Sequence, residues 1–157
     1  MIINKYKDET LEENRVDIFY NRESCEILEL FNYLDKIDKR KNVILGENQN
    51  EKHYISIEDV FYFDSVDKKT FAYLEKDILQ VKYSLKQLES LCEEFGFVRI
   101  NKSQIVNIYK IKYLKADANM RIQIYLVNNE TVIINRHYKK PFQKRLEDIK
   151  DKKLREE

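Results

Sequence analysis

Two glycines, one proline, two cysteines and no tryptophan are spread through 157 residues, and each scarcity closes off a class of function. So few glycines leave no loop able to cradle a phosphate. A single proline leaves no proline-rich linker, and no segment is of low complexity. Cys25 and Cys92 lie far apart and are expected on apolar helix faces as reduced thiols, neither a disulfide nor a metal pair. His53 and His137 stand alone, so no metal site is expected and no cofactor is indicated. For the same reason a cysteine–histidine nucleophile is a poor reading. No apolar run approaches the length of a membrane span. The acidic opening MIINKYKDETLEEN also lacks the core of a signal peptide. A cytoplasmic protein is the expectation.

What the chain does have is aromatic and charged. Eleven tyrosines and eight phenylalanines favour strands, and 36% charged residues make a well-solvated surface. The net charge of +1 hides an asymmetry. Residues 95–157 carry 15 basic against 7 acidic side chains, whereas residues 1–94 carry 14 against 21. A nearly neutral chain can therefore present a basic face that attracts phosphate backbones. Part of that excess, around Lys150–Arg155, suits a solvated helix.

Periodicity divides the chain. Residues 15–20 (RVDIFY) alternate loosely and predict a strand. Residues 24–40 predict a helix with one apolar stripe, Ile27, Leu30, Phe31, Leu34 and Ile37, capped by Ser24 or Asn21. VILGENQNEK reads as a short strand and a polar turn. From His53 come four short β runs: HYISI, VFYFDSV, TFAYLE and ILQVKY. Ser84 with Gln87 forms a capping-box pattern before a short helix burying Leu85, Leu88 and Cys92. FGFVRIN returns to strand, and residues 104–109 suggest a helical turn. MRIQIYLV and TVIINR predict a hairpin through Asn128-Asn129-Glu130. The end of the chain reads as a helix, with Tyr138, Phe142, Leu146 and Ile149 in one stripe and Pro141 in its first turn. Helices do not alternate with strands, so the expected fold is mainly β (α+β overall) with antiparallel sheets. Three segments follow: a strand-helix piece at 1–50 for packing or dimerisation, a β domain at 51–150, and a charged tail at 151–157.

Two clusters concentrate hydrogen-bonding chemistry. One is Arg99, Asn101, Lys102, Ser103 and Asn107; the other is Asn135, Arg136, His137, Tyr138, Lys139 and Lys140. Long cationic side chains such as Lys102 and Arg136 can reach guanine O6 and N7. Asparagine can pair with adenine, and Ser, Lys and Tyr suit phosphates. Taken singly, each is as well read as a solvated surface residue.

Together they carry a resemblance. Ile57-Glu58-Asp59-Val60-Phe61-Tyr62-Phe63, Ser84-Leu85, Phe97-Val98-Arg99-Ile100-Asn101-Lys102-Ser103 with Ile105-Val106-Asn107, and Ile134-Asn135-Arg136-His137-Tyr138 occur in order over roughly His53 to Leu146. This run resembles the LytTR-type DNA-binding domain of bacterial response regulators. The resemblance implies an elongated stack of small antiparallel β-sheets with short helices. It implies loops entering successive major grooves of double-stranded DNA, commonly as two copies on direct repeats. It also implies base-reading side chains at Lys102, at Arg136, and in the Asp67-Lys68-Lys69 loop, at Lys68 or Lys69. Arg99, Asn101, Ser103, His137, Tyr138, Lys139 and Lys140 are expected at phosphates. Asn107 is either a further contact or a buried side chain bonding its own loop. The family's usual His and Ser are replaced here by Asn101 and Asn135, which alters the expected sequence preference rather than binding itself.

About 50 residues precede this part, too few for a phosphoacceptor receiver. The arrangement resembles stand-alone regulators, which often accompany a small integral membrane protein. The Ile27–Ile37 stripe is expected to pack on its own domain or to form a homodimer contact. Three rival readings stay open. A metal-dependent nuclease would want acids within the basic surface, and Asp117 and Glu130 sit near expected turns instead. A single-stranded nucleic-acid or RNA-binding β module would stack bases on exposed aromatics. An interaction or sensor subunit would have lost DNA binding, which the presence of Lys102 and Arg136 opposes. No enzymatic activity is expected.

Overall fold

Short β-runs separated by polar turns build most of the molecule, and the turns show why the chain reverses where it does. The computed structural model describes residues 2, 4–11, 15–40 and 42–156. The chain divides into two units, residues 1–38 and 39–157, near the end of the first helix.

Helix α1 spans Cys25–Arg40, all but its last two residues in the first unit. The Ser24 hydroxyl accepts from the Ile27 amide at 3.4 Å at its start. Ile27, Leu30, Phe31 and Leu34 are half-buried and Ile37 is exposed, so the stripe is present but thinly covered. Tyr20 sets its ring edge-on to Phe31, centroids 5.7 Å apart. Two expectations are corrected here. Residues 15–20 form no strand, and Phe19 is 94% exposed. Their alternation has no neighbouring strand to pair with, and without a ladder an extended segment leaves its amides to water. Cys25, expected on an apolar face, is exposed at the first residue of α1.

Among the described residues the second unit contains ten strands. They are β1 (Val43–Asn48), β2 (Glu51–Ser56), β3 (Tyr62–Val66), β4 (Lys69–Tyr73), β5 (Ile78–Val81), β6 (Phe97–Arg99), β7 (Gln104–Asn107), β8 (Ile111–Ala116), β9 (Ile122–Leu126) and β10 (Thr131–Ile134). Helices α2 (Leu85–Cys92) and α3 (Lys139–Glu156) complete it. Seven strands form one sheet in the order β2-β1-β5-β4-β3-β7-β6, and three form another in the order β10-β9-β8. Every pairing is antiparallel. The mainly β, antiparallel reading therefore holds. The β1–β2 turn places Gln49 and Asn50 at positive φ, and the β3–β4 turn does the same with Asp67 and Lys68. Two consecutive left-handed residues match the twist of a two-residue hairpin.

Successive residues of β3 serve two cores. Phe63 packs with Ile105, Leu88 and Cys92 beneath α2, while Tyr62 packs with Val106, Ile124, Ile134 and Phe142 beside the three-stranded sheet and α3. Strands buried on both faces lose polar alternation, which is why this stretch reads as continuous apolar sequence. Helix α2 carries the full capping box: Ser84 accepts from the Gln87 amide at 3.2 Å, and the Gln87 side chain accepts from the Ser84 amide at 2.9 Å. Arg145 of α3 donates to the Glu93 carbonyl at 2.6 Å, placing a cation at the end of α2 where the helix dipole favours one.

Two local readings change. Residues 104–107 are strand β7, and the helical turn comes after them, as a 3-10 turn at Ile108–Lys110. Strand β8 was not legible: its burial is low along its whole length, and it lies at the edge of its sheet with Lys112 and Lys115. Lysines of this kind discourage an edge from pairing with another chain.

Gly96 ends the 3-10 turn after α2 with φ +80, and an added Cβ would lie 2.6 Å from the Tyr109 ring. Gly96→Ala is expected to lower unfolding free energy by about 1–3 kcal/mol, since a left-handed alanine is strained and the ring must also yield. A urea titration measures this; an unchanged midpoint would contradict it.

Candidate nucleic-acid interface

Strand register places three chain connections at one end of the second unit. Asp64 of β3 pairs with Gln104 of β7, so the chain leaving β3 and the chain entering β7 run side by side. The Ser65 amide then donates to the Ser103 carbonyl at 2.8 Å. The β6–β7 connection closes through the Ile100 amide, which donates to the Gln104 carbonyl at 3.1 Å. On its other side the Asn135 amide, just past β10, donates to the Ile100 carbonyl at 2.9 Å. The β3–β4 turn, the 100–103 turn and the β10–α3 junction are thus joined by backbone bonds.

Each carries an exposed cation. Lys68 lies in the β3–β4 turn and Lys69 opens β4. Lys102 is exposed in the middle turn, and Arg136 and His137 are exposed in a 3-10 turn that runs into α3. Lys140 is exposed, and Tyr138 and Lys139 are half-buried. Among the described residues, none of Lys68, Lys69, Lys102, Arg136, Lys139 and Lys140 forms an ion pair or a side-chain hydrogen bond. Their charges are uncompensated at close range, which suits an anionic partner.

Other residues expected at the surface are instead committed to the protein. Arg99 donates from Nε to the Asn101 carbonyl at 2.7 Å, from Nη1 to Glu89 at 3.0 Å, and from Nη2 to the Lys102 carbonyl. Its guanidinium holds the backbone on both sides of the Asn101–Lys102 peptide, and a rigid fork of donors is suited to that task. Without DNA, the Arg99 donors expected at a phosphate are engaged within the protein. Asn101 is saturated as well: Oδ1 accepts from the Ser103 amide and hydroxyl, and Nδ2 donates to Gln104 and to the Ile133 carbonyl. Ser103 is half-buried in the same turn. Asn107 is 2% exposed, donates to the Val60 carbonyl at 2.9 Å and accepts from the Tyr109 amide at 3.0 Å. It bonds its own loops and has no surface left for a phosphate, which corrects the alternative role.

The sequence reading missed three residues that support the turn: Glu89, Gln104 and Asp64. The spacing Asn101-x-Ser103, an Asx-turn pattern, was the one local signal. Partners 10 and 40 residues away leave none.

The Cys92 thiol is raised to about 12 by burial, which makes it a poor nucleophile. Among the described residues no three His, Cys, Asp or Glu side chains group to hold a metal.

Residues 50–147, more than half of the chain, match the family model of the LytTr DNA-binding domain. Among solved structures, the LytTr DNA-binding domain of a methyl-accepting/DNA response regulator from Bacillus cereus is similar, at 28% identity and a TM-score of 0.64, over 67% of this chain and 96% of that one. Two HTH-type transcriptional regulators of Staphylococcus aureus are also similar. One is 28% identical over 146 residues, 93% of this chain and 98% of its own length. The other is 29% identical over 134 residues, 85% and 90% respectively.

Proposed function

The chain belongs to the LytTr DNA-binding domain family, and from that premise we propose that it is a transcription regulator reading duplex DNA through three joined loops. Lys102, Arg136 and one of Lys68 and Lys69 contact base edges in the major groove. Ser103, His137, Tyr138, Lys139 and Lys140 contact phosphates. Arg99 and Asn101 hold the middle loop in shape. The observation that supports this reading is the backbone stitching of the loops beneath side chains with no ion-pair partner among the described residues. Rigid support lowers the entropic cost of docking, and unpaired cations avoid the cost of breaking an internal pair.

Two copies on direct repeats fit the family resemblance. The thin cover of the α1 stripe, with Ile37 39% exposed, supports a homodimer contact there. A small membrane-protein partner would supply the input that a receiver gives elsewhere in the family. No helix among the described residues is long and apolar enough to cross a membrane. A DNA target supports a cytoplasmic location and a non-enzymatic role.

Selection of bound sites from random duplexes, followed by competition with the matching single strands, tests the reading. The duplex should win at every salt concentration; equal competition by single strands would overturn it. Lys139→Ala should weaken all duplexes alike and reduce the slope of log affinity against log salt by roughly one unit. A loss confined to the selected site would move Lys139 from phosphate to base contact.

A further inference from the structure

Gln104, half-buried at the start of β7, bonds through its side chain to the middle loop and to β3 at once. Its Oε1 accepts from Asn101 Nδ2 at 2.8 Å, and its Nε2 donates to Asp64 Oδ2 at 3.1 Å. Asn101 Nδ2 also donates to the Ile133 carbonyl at 3.1 Å. A continuous polar path therefore runs from β10 through the middle loop and β7 to β3. These are the strands whose ends carry Arg136, Lys102 and the Lys68-Lys69 turn.

The direction of each bond is fixed. The Ser103 amide can only donate, so Asn101 must turn Oδ1 toward it and Nδ2 away. Gln104 must then present its oxygen to Asn101 and its amide to the Asp64 carboxylate. Only an amide of this length satisfies both ends. A carboxylate would face Asp64 with like charge, and an apolar side chain would strand donors and acceptors that are half-buried.

We propose that Gln104 is a positioning residue for DNA reading: through Asn101 and Asp64 it fixes the three recognition loops relative to one another. The assignment rests on the proposed DNA-reading function, and its test separates the two. Beyond the β3–β7 ladder, the backbone ties the end of β3 to the middle loop, and the middle loop to the β10–α3 junction, by the Ser65–Ser103 and Asn135–Ile100 bonds. The side-chain path adds a second tie at two of the roots, and networks of this kind hold more strongly than their separate bonds.

The test uses the full-length protein and four variants: Gln104→Met, Gln104→Glu, Asp64→Asn, and the double variant of the last two. In free protein, hydrogen exchange is followed at the amides of Ser65, Ser103 and Asn135, with Leu88 in α2 as control. With DNA, the ratio of affinities for the selected site and for unrelated duplex is measured across salt. Gln104→Met should speed exchange at the three loop amides together, leave Leu88 unchanged, and lower the affinity ratio by roughly tenfold at an unchanged salt slope. Gln104→Glu should do the same, and adding Asp64→Asn should restore both the exchange and the ratio by reversing the direction of one bond. Exchange unchanged at all three amides, or accelerated equally at Leu88, would overturn the assignment. So would a double variant no better than Gln104→Glu. If the loop amides and the rescue in exchange behave as stated but wild-type protein shows no preference among duplexes, the coupling stands and the DNA-reading function fails.

Discussion

Arg136→Ala is expected to weaken binding to the selected site by about 5- to 150-fold, equivalent to roughly 1–3 kcal/mol, and to relax the preference at one base pair while leaving unrelated duplex almost unaffected. A guanidinium can reach both acceptors of a guanine edge, and each such bidentate contact discriminates against the wrong base. Two features of the structure favour so large an effect. Arg136 has no ion pair among the described residues, so no internal bond offsets its loss of contact. Its backbone is also anchored, because the preceding Asn135 amide is held by the Ile100 carbonyl. Lys102→Ala should be smaller in free energy, since a lysine presents a point charge rather than a fork. Titration of site variants against both proteins would assign each side chain its base pair. If Arg136→Ala lost affinity equally for every duplex, Arg136 would be a phosphate contact and the reading surface would have to lie elsewhere.

The difference between Arg136 and Arg99 shows what the chain discloses by itself. Both are arginines among apolar strand residues, and both were expected at DNA. Arg136 follows a strand that ends in a turn, so exposure is the natural outcome. Arg99 differs by Glu89 on α2 and by two carbonyls that come within reach only when the 100–103 turn closes. Sequence displays a cation but not its partner in space. Local patterns were more informative. The Ser84–Gln87 box needs residues three apart, and the β9–β10 hairpin needs only its turn, so both were legible. The β8 edge was hidden because a strand exposed on both faces has no apolar alternation to display. Residues 15–20 misled in the opposite sense: alternation was present but no partner strand was.

The path through Gln104 lies beyond local reading for a further reason. Asp64 and Gln104 are brought opposite by the β3–β7 register, and that register is set by Phe63 and Ile105 in one core and Tyr62 and Val106 in the other. A one-residue slip of either strand would turn its side chains to the opposite faces and separate the polar pair. The apolar pattern thus specifies where the polar network can form, although nothing in the spacing of its members announces it.

Phe142→Ala is expected to lower unfolding free energy by about 3–5 kcal/mol. Phe142 is fully buried in the core that contains Ile100, Ile122, Ile134 and Ile149. Removal of the ring leaves a cavity that a helix anchored elsewhere by Arg145 closes only in part. Domains of this size are stable by roughly 5–15 kcal/mol, so the variant should remain folded in the cold and melt early. The functional consequence follows from position. Phe142 lies in the first turns of α3, immediately after Arg136, Lys139 and Lys140, and Ile100 and Ile134 of the same core flank the middle loop and end β10. Slack in this core therefore reaches the two loops that carry Lys102 and Arg136 before it reaches the β3–β4 turn. Below its melting range, Phe142→Ala should lose discrimination among duplexes while keeping most of its non-specific affinity. Combined with Arg136→Ala, the loss should be less than additive, because a displaced Arg136 has already surrendered its contact. Full additivity, measured at a temperature where both proteins are folded, would mean that this core stabilises the domain without orienting the reading loops.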